Sequence, residues 1–334
     1  MTPNPMNTRE RDACAVCYVS DRGFLFPSLA SALSLKDRLT GPDVDVFVFV
    51  LDIPPEEIAA LNATFALRRI QVVAMEKRWR GQFDTTKFST FNPVPEATLG
   101  RFFIEPLLPA RYDRILYIDG DTLVDGDVAP LLDYALPAGA FAAVDDPLAF
   151  AVFGRGFLAD FAKGYFPTLG VDPAKGYFNA GVFLADRSAW RVIAEEAFAF
   201  FRRHPELCQL HDQSALNVVV GDGRLRMSLR WNSMTIHRQW GSERVAKPMI
   251  LHFSGSPKPW MGPYWPVSKY NKIYDPLRRR IPEIIAPSEI LDGRKCLISS
   301  FNNLKIYCKL MTINIDGVLL FRDLMSKYEK DCAI

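Results

Sequence analysis

Short apolar segments that alternate with helix-like segments constrain the fold of this chain more than any other feature. The run ACAVCYV at 13–19 has the apolar character of a buried strand, and the segment 24–39 has apolar residues at helical spacing. The β-branched and aromatic run at 43–52 and the run at 70–75 are again strand-like, and a helix-like segment separates them. This alternation predicts an α/β domain in which helices flank a mainly parallel sheet.

A further buried strand, RILYID at 114–119, leads directly into an acidic loop. Ligands of open α/β sheets bind beyond the carboxyl ends of the strands. We therefore expect Asp21, Asp119 and Asp121 to lie near one mouth of the sheet. The same patterns predict three later strands and two later helices: strands at 140–145, 180–186 and 249–254, and helices at 188–203 and 212–220.

Overall composition is that of a globular protein without a strong charge bias. The 334 residues are 49% hydrophobic, which is enough for one substantial core and a smaller appendage. Forty basic residues face 38 acidic ones, so the charge balance gives no reason to expect a nucleic-acid partner. The first residues do not follow the secretory-signal pattern, and no run reaches the roughly 18 to 20 apolar residues that span a bilayer. These features predict a cytoplasmic location.

Two cysteines, Cys14 and Cys17, form a C-x-x-C pair within the first predicted strand. Such a pair is compatible with redox or zinc chemistry, but no second pair follows it in the sequence. We therefore predict that both are ordinary buried cysteines of the strand.

The last quarter of the sequence differs in character from the rest. From residue 264 it is basic and aromatic, and this predicts either a solvated helix that closes the domain or a surface that contacts an anionic membrane or an acidic glycan. Residues 285–334 have no clear period and predict a small cap or a poorly ordered tail. We divide the chain into an N-terminal tail (1–12), a main domain (13–275) and a C-terminal extension (276–334). The basic and aromatic residues are Tyr264, Trp265, Lys269, Tyr270, Lys272, Tyr274 and Arg278 to Arg280.

The strongest chemical signal is Asp119-Gly120-Asp121 at the end of a predicted strand. Two carboxylates separated by a glycine can converge on one divalent cation, and their hard oxygen ligands suit manganese or magnesium. The alternative is an acidic loop that only caps the strand. His252, which ends another apolar strand, favours the metal site because an imidazole can complete it, and Lys258 nearby can neutralise a phosphate.

Together with three further segments, these motifs make the chain resemble glycosyltransferase family 8, over roughly residues 13–275. This family includes bacterial lipopolysaccharide galactosyl- and glucosyltransferases, glycogenins and plant galacturonosyltransferases. The resemblance implies a fold of the GT-A type and an enzyme that transfers a hexose, galactose or glucose, from a UDP-sugar to a glycan or lipid-linked glycan. The matching segments are RFFIEPLLP at 101–109, RILYIDGDTLV at 114–124, YFNAGVFL at 177–184, HDQSALN at 211–217 and HFSGSPKPW at 252–260.

The resemblance also implies a role for each matched residue. Asp119, Asp121 and His252 are expected to hold manganese or magnesium, and Gly255 and Lys258 to meet the diphosphate. Asp21 is expected beside the nucleotide base, although Gly23 and Phe24 stand where the family often has asparagine and tyrosine. The remaining donor-binding residues are Arg101, Gly120, Asn179, Asp212 and Gln213, and the predicted catalytic residues are Asp145, Asp212 and Gln213.

Membership of this family would further imply that the sugar keeps its anomeric configuration. Gln213 is an amide and a poor nucleophile, so we expect front-face transfer, with Gln213 stabilising positive charge on the sugar. The sequence alone also allows purely structural roles: Asn179 in a tight bend before a strand, and Asp212 as a helix cap.

The sequence is also compatible with two other functions. The segment I-D-G-D-T-L also fits the opening motif of haloacid-dehalogenase-type phosphatases, in which the first aspartate is a nucleophile. A non-catalytic protein that binds nucleotide sugars is the second alternative. For a transferase, the implied acceptor is a lipopolysaccharide or exopolysaccharide, and the implied location is the cytoplasm or the inner membrane face.

Overall fold

The strands within the described part of the chain form two sheets. A computed structural model describes residues 13–79, 81–82, 96–255, 257–266, 268–270, 273–274, 279, 291–313 and 315–334. The predicted tail 1–12 lies outside the described residues, as do Lys272, Arg278 and Arg280. The strands are β1 (Ala13–Ser20), β2 (Val46–Val50), β3 (Ile70–Ala74), β4 (Tyr112–Ile118), β5 (Thr122–Val124), β6 (Phe141–Asp145), β7 (Phe178–Asp186), β8 (Leu225–Arg226), β9 (Ser233–Met234) and β10 (Ile250–His252).

Helices cover the larger sheet and continue into the C-terminal region. They are α1 (Leu25–Arg38), α2 (Pro55–Phe65), α3 (Glu96–Gly100), α4 (Ala129–Leu132), α5 (Pro147–Ala151), α6 (Phe157–Leu169), α7 (Arg187–Arg203), α8 (His211–Val220), α9 (Thr235–Gln239), α10 (Gly293–Ile313) and α11 (Ile315–Lys330). Among the residues that the structure describes, no helix has both the length and the apolar character needed to cross a bilayer.

The larger sheet has the strand order β3-β2-β1-β4-β7-β6-β8. Strands β1 to β4 and the β6–β8 pair are parallel, whereas β7 runs antiparallel to both of its neighbours. The start of β7 therefore lies at the same edge of the sheet as the ends of β1, β4 and β6. This confirms the predicted mixed, mainly parallel sheet flanked by helices.

Both faces of the central strand β1 are buried, which explains its nearly continuous apolar sequence. Val16 and Tyr18 pack into the core on one face of the sheet, and Ala15 and Cys17 pack into the core on the other. Cys14 is partly buried, and both cysteines of the C-x-x-C pair are free thiols. The pair thus forms part of the strand, as predicted.

The smaller sheet has the order β5-β10-β9 and is held against α1 by small hydroxyl side chains. Ser31 Oγ lies 2.7 Å from Thr122 Oγ1, and the Val124 amide donates to Ser34 Oγ at 2.9 Å. Because these serines are small, α1 approaches β5 and the acidic loop closely. This contact fixes the loop between β4 and β5, in which Asp119 and Asp121 lie.

The C-terminal helix α11 packs on the core. Phe321, Met325 and Tyr328 are buried, and the backbone of the last residues bonds to the segment around β8 through Ala333 and Ile334. Residues 315–334 therefore stabilise the main fold, although their sequence has no clear period. The division of the chain into a domain at 13–275 and an extension at 276–334 stays a prediction.

Candidate active site

Two aspartates and one histidine come together where β4 ends and β10 ends. One ligand atom from each of Asp119, Asp121 and His252 lies within 4.8 Å of the other two. His252 reaches the aspartates because β10 pairs with β5, which follows directly after Asp121. Residues more than a hundred positions apart thus form one candidate metal site, as the sequence predicted.

Two glycines allow these groups to approach one another. A Cβ atom on Gly181 would lie 2.4 Å from His252 Cε1 and 2.8 Å from Asp119 Oδ2, so only glycine leaves room between them. A Cβ atom on Gly120 would lie 2.2 Å from Ser28 Oγ. Gly120 therefore lets the acidic loop lie against α1, and Gly181 leaves space between the ligand groups.

A chain of amide groups fixes the tautomer of His252. The backbone amide of Gly181 donates to Asn179 Oδ1 at 2.9 Å, so this oxygen is an acceptor. Asn232 Nδ2 donates to the same oxygen at 2.8 Å, which turns Asn232 Oδ1 toward His252 Nδ1 at 2.8 Å. Nδ1 must then carry the proton, because it faces an acceptor.

In the neutral imidazole the lone pair of His252 therefore lies on Nε2, which is 3.2 Å from Asp121 Oδ1. This nitrogen and the carboxylate need a positive charge between them, which is either a proton on Nε2 or a bound metal ion. A histidine whose second nitrogen donates to an oxygen is the usual arrangement of a metal ligand. The chemistry of the three groups and the space left by Gly181 thus fit a divalent cation.

Arg101 and Lys258 bring positive charge to the site. The buried Arg101 guanidinium lies 2.9 Å from Asp119 Oδ1 and 3.0 Å from Asp212 Oδ2 and donates to the Ala180 carbonyl at 2.6 Å. Lys258 Nζ donates to Asp121 Oδ2 at 2.7 Å and to the Phe253 carbonyl at 2.6 Å. Both cations thus border the carboxylates of the candidate metal site.

The carboxyl groups differ in their electrostatics. Burial raises the pKa of Asp119, and Arg101 only partly opposes this effect. Burial also acts on Asp121, but Lys258 and His252 outweigh it and lower its pKa below the usual value. Burial raises the pKa of Asp212 to about 6, against the opposing charge of Arg101. Bound cationic charge would favour ionisation of all three groups.

Gln213 and Asn179 belong to a second network beside the metal site. The Ala180 amide donates to Gln213 Oε1 at 3.1 Å, and Asn179 Nδ2 donates to the same oxygen at 2.9 Å. Gln213 Nε2 and Asn179 Nδ2 both donate to Asp146 Oδ2, at 3.2 and 3.1 Å. The first turn of α8 is thereby tied to the start of β7 and to the end of β6.

Sequence reasoning missed Asp146 and Asn232. Asp145, the predicted catalytic carboxylate, forms an ion pair with buried Arg224, whereas its neighbour Asp146 joins the Gln213 network. The doublet Asp145-Asp146 at the end of a predicted strand was the available signal, but sequence alone does not say which carboxylate faces the site. Asn232 lies in a short turn before β9 and had no comparable signal.

The remaining predicted residues border the site less closely. A cleft of about 240 Å³ is lined by Asp21, Phe24, Arg101, both aspartates of the acidic loop and Lys258. Asp21 Oδ1 accepts the Phe24 amide at 3.0 Å, so it also caps the turn before α1. Gly255 has open space beside it, since a Cβ atom added there would have no atom within 4 Å.

A carboxylate pair and a histidine at the carboxyl-end edge of a mixed α/β sheet, with an arginine and a lysine beside them, fit a glycosyltransferase of the GT-A class. The profile of "Glycosyl transferase family 8" matches residues 15–262. The chain belongs to glycosyltransferase family 8.

Curated relatives agree with this assignment. The chain is 28% identical over 271 residues to the lipopolysaccharide glucosyltransferase WaaO of Escherichia coli strain K12, which covers 76% of this chain and 75% of WaaO. It is 31% identical over 163 residues to general stress protein A of Bacillus subtilis strain 168, 44% of this chain and 52% of that protein. It is 26% identical over 257 residues to glycosyltransferase GlyF of Streptococcus pneumoniae, 74% of this chain and 57% of GlyF. The chain thus spans just over half the length of the last two relatives.

Solved structures support the fold. The galactosyltransferase LgtC, crystallised with donor and acceptor sugar analogues, superposes with a TM-score of 0.63 at 19% identity and covers 80% of this chain and 99% of LgtC. The bifunctional glycosyltransferase WbbM gives a TM-score of 0.58 at 21% identity, over 86% of this chain and 52% of WbbM.

Proposed function

We propose that this glycosyltransferase moves a hexose, galactose or glucose, from a UDP-sugar to a glycan acceptor, with manganese or magnesium at Asp119, Asp121 and His252. The observation that carries the proposal is the convergence of these three groups, with His252 Nδ1 held by Asn232 so that Nε2 faces the carboxylates. Asp119, Asp121 and His252 would hold the ion, whose positive charge would stabilise the diphosphate leaving group.

The side chains around the ion divide the remaining tasks. Lys258 would exchange its bond to Asp121 for one to the diphosphate, and Arg101 would hold Asp119 in place. Asp212 and the Asn179–Gln213–Asp146 network would orient the hexose. Asp21 would lie beside the uracil base, and the backbone at Gly120 and Gly255 would lie close to the diphosphate.

The transfer would proceed with retention. The bond from the anomeric carbon to the diphosphate oxygen breaks, and the acceptor hydroxyl oxygen forms the new bond on the same face. The hydroxyl proton passes to the departing phosphate oxygen. Gln213, held by the Ala180 amide, would stabilise positive charge on the sugar, and a Gln213→Ala variant with unchanged kcat would contradict this role.

Donor hydrolysis tests the proposed function directly. UDP release from UDP-galactose and from UDP-glucose is measured with and without Mn²⁺. Asp121→Asn is compared with Asp113→Asn. The control alters an exposed aspartate in β4, the strand that leads into the acidic loop. We expect turnover that requires the cation, with a loss of at least ~100-fold in Asp121→Asn only. Metal-independent turnover, or equal activity in the two variants, would refute the proposal.

The same samples separate the alternatives. Tight UDP-sugar binding without turnover would identify a non-catalytic nucleotide-sugar protein. Phosphate release from monoesters would identify a phosphatase, an alternative that the family assignment leaves without support.

The acceptor is proposed to be a lipopolysaccharide or exopolysaccharide. The relative WaaO, by its name, acts on lipopolysaccharide.

Contact with a membrane through the C-terminal region also stays a prediction. Helix α10 supports it with exposed Leu297 and Phe301 beside Arg294 and Lys295, and co-sedimentation with anionic vesicles tests it.

A further inference from the structure

The hydroxyl group of Tyr117 contacts a candidate metal ligand, and the proposed function gives it no role. Tyr117 Oη donates to Asp119 Oδ1 at 2.9 Å. Arg101 Nη2 donates to the same oxygen, also at 2.9 Å. A carboxylate oxygen accepts about two hydrogen bonds, so these two donors occupy Oδ1.

The second oxygen of Asp119 borders the gap between the candidate ligands. Among the residues that the structure describes, none forms a hydrogen bond with Asp119 Oδ2. A Cβ atom placed on Gly181 would lie 2.8 Å from Oδ2 and 2.4 Å from His252 Cε1, so both groups border the same space. Asp119 therefore has one oxygen that is available to a cation and one that is not.

Packing keeps the Tyr117 hydroxyl at this position. Tyr117 in β4 pairs with Phe183 in β7, and the two rings stack with centroids 5.0 Å apart and planes inclined by 12°. The Arg101 guanidinium lies 4.7 Å from the centre of the Tyr117 ring. Tyr117 is only 1% exposed, and a close-packed core leaves no space for a rotation that would move the hydroxyl away from Asp119.

Arg101, the other donor to Oδ1, is held by partners of its own. Its Nη1 donates to the Ala180 carbonyl at 2.6 Å. Its Nε donates to the Thr98 carbonyl at 3.2 Å and lies 3.0 Å from Asp212 Oδ2. Both donors to Oδ1 are thus anchored by groups other than Asp119.

A carboxylate that offers one oxygen limits which ions fit the site. Calcium takes about six to eight oxygen ligands and often binds both oxygens of a carboxylate, whereas the smaller magnesium ion requires an octahedral set of ligands, which manganese also adopts. Asp121 does not impose this limit, because its Oδ2 accepts from Lys258, which the proposed function assigns to the diphosphate. Discrimination between the ions therefore depends on Asp119.

We propose that Tyr117 is a positioning residue that keeps Asp119 a one-oxygen ligand, and that the site thereby favours manganese or magnesium over calcium. The proposal rests on the metal site of the proposed function. Tyr117 acts through Asp119, whose Oδ1 it withholds from the ion.

Competition between Mn²⁺ and Ca²⁺ tests this role. Electron paramagnetic resonance of free Mn²⁺ gives the Kd for Mn²⁺ in the presence of UDP, and displacement of Mn²⁺ by Ca²⁺ gives the Kd for Ca²⁺. Tyr117→Phe removes the hydroxyl and keeps the ring that stacks on Phe183. Tyr112→Phe is the matched control, because Tyr112 is a buried tyrosine at the other end of β4 whose hydroxyl donates to the carboxylate of Asp45.

We expect the ratio of the Ca²⁺ Kd to the Mn²⁺ Kd to fall by about 5-fold or more in Tyr117→Phe, because Asp119 Oδ1 becomes available to the larger ion. Tyr112→Phe should keep the ratio of the unaltered protein. A purely structural role of the hydroxyl would weaken the binding of both ions alike and leave the ratio unchanged.

The two proposals fail in different ways. If the unaltered protein binds Mn²⁺ but the ratio stays the same in Tyr117→Phe, or falls equally in Tyr112→Phe, the role of Tyr117 is overturned and the metal site stands. If the unaltered protein binds no Mn²⁺ in the presence of UDP, the metal site of the proposed function is overturned, and the role of Tyr117 with it.

Discussion

At the scale of single residues, backbone amides determine the chemistry of the candidate metal site. The Gly181 amide orients Asn179, which orients Asn232, which in turn orients His252. The side-chain oxygen and nitrogen of asparagine have nearly the same shape, so shape alone does not distinguish them. The backbone N–H of Gly181 can only donate, and this identifies the atom that it contacts as the oxygen of Asn179. Asn232 is thus a positioning residue for the candidate ligand His252.

Replacing Asn232 with alanine tests this role. Without the acceptor at Nδ1, His252 loses its fixed tautomer, and we expect the affinity for Mn²⁺ in the presence of UDP to fall by about 10- to 100-fold. Electron paramagnetic resonance of free Mn²⁺ measures the affinity, and ¹⁵N NMR of the imidazole reports the tautomer. Gln71→Ala, at an exposed position on β3, is the control. An unchanged affinity in Asn232→Ala would mean that the tautomer is fixed by another group.

A second histidine, His237, makes the stability depend on pH. His237 is fully buried, and burial together with the nearby charge of Arg238 lowers its pKa from the usual 6.5 to about 3. Between pH 3 and pH 6.5 the histidine binds a proton in the unfolded chain but not in the folded protein. The folded state therefore loses stability as the pH falls below about 6.5. At pH 5 this loss amounts to about 2 kcal/mol.

A His237→Phe variant is expected to remove this part of the pH dependence. Its ring can keep the edge-on packing against Phe150, whose centroid lies 5.6 Å from that of His237. Urea unfolding at pH 7 and pH 5 gives the two free energies of unfolding for each protein. We expect the drop between them to be smaller by about 2 kcal/mol in His237→Phe, and unchanged in a His204→Phe control on the surface. Equal drops in all three proteins would show that His237 takes up a proton in the folded state.

The site was only partly predictable from the sequence at this scale. Asp119 and Asp121 directly follow one strongly apolar run and His252 ends another, and such runs end at the edge of a sheet where ligands bind. Asp145 and Asp146 differ by one position, and alternation along a strand sends neighbours to opposite sides. Sequence therefore located the acidic group at this strand end but did not determine which of the two aspartates faces the site.

At the scale of elements, long segments with one clear period were predictable and short or mixed segments were not. Helix α7 was predicted from residue 188 and begins at Arg187, and β7 was predicted from residue 180 and begins at Phe178. The strands β8 and β9 have two residues each, too few for a period to appear. Helix α11 buries residues 321, 325 and 328, which have helical spacing. Other apolar residues stand between polar ones in the same segment, so this spacing could not be recognised in the sequence.

Helix α11 also reaches the strand that carries the acidic doublet. Tyr328 Oη accepts the Asp145 amide at 3.1 Å and donates to the Met227 carbonyl at 2.7 Å. The C-terminal helix therefore holds β6 and the segment after β8 together, one residue before Asp146.

A Tyr328→Phe variant should leave the buried Asp145 amide without its acceptor and the buried Met227 carbonyl without its donor. We expect the free energy of unfolding to fall by about 1–3 kcal/mol, and donor hydrolysis to slow because the Asp146–Gln213 network loses its support. Urea unfolding and UDP release measure the two effects. Lys327→Ala, on the exposed side of the same helix, is the control. A Tyr328→Phe protein as stable as this control would show that the hydroxyl adds nothing.

At the scale of the whole molecule, the candidate metal site is a region where carboxylates outnumber cations. Asp119 and Asp212 lie against Arg101, Asp121 lies against Lys258, and Asp146 belongs to the adjoining Gln213 network. Burial raises the pKa of Asp119, Asp146 and Asp212. Folding brings these like charges together and burial removes their water, so the folded state is destabilised here. A bound divalent cation would offset this cost and stabilise the entire fold.

Thermal unfolding with and without Mn²⁺ and UDP therefore reports occupancy of the site. A ligand at 100 times its Kd adds about 2.7 kcal/mol to the stability. With an unfolding entropy of ~2.1 cal/mol/K per residue, this corresponds to a rise of about 4 °C in Tm for a chain of 334 residues. We expect a rise of this size in the unaltered protein.

A Gly181→Ala variant should lose that rise without any change of charge. The added methyl group would occupy the space between His252 and Asp119, where a Cβ atom would lie 2.4 Å and 2.8 Å from their nearest atoms. The variant should also unfold at a lower temperature, because overpacking a buried site costs about 1–3 kcal/mol. Gly164→Ala, in α6 with open space around the new methyl group, is the matched control and should keep the full rise. The lower starting Tm does not decide the question, since the measured quantity is the difference that Mn²⁺ and UDP make within each protein. If Gly181→Ala gained as many degrees as Gly164→Ala, the cation would have to bind elsewhere than between Asp119, Asp121 and His252.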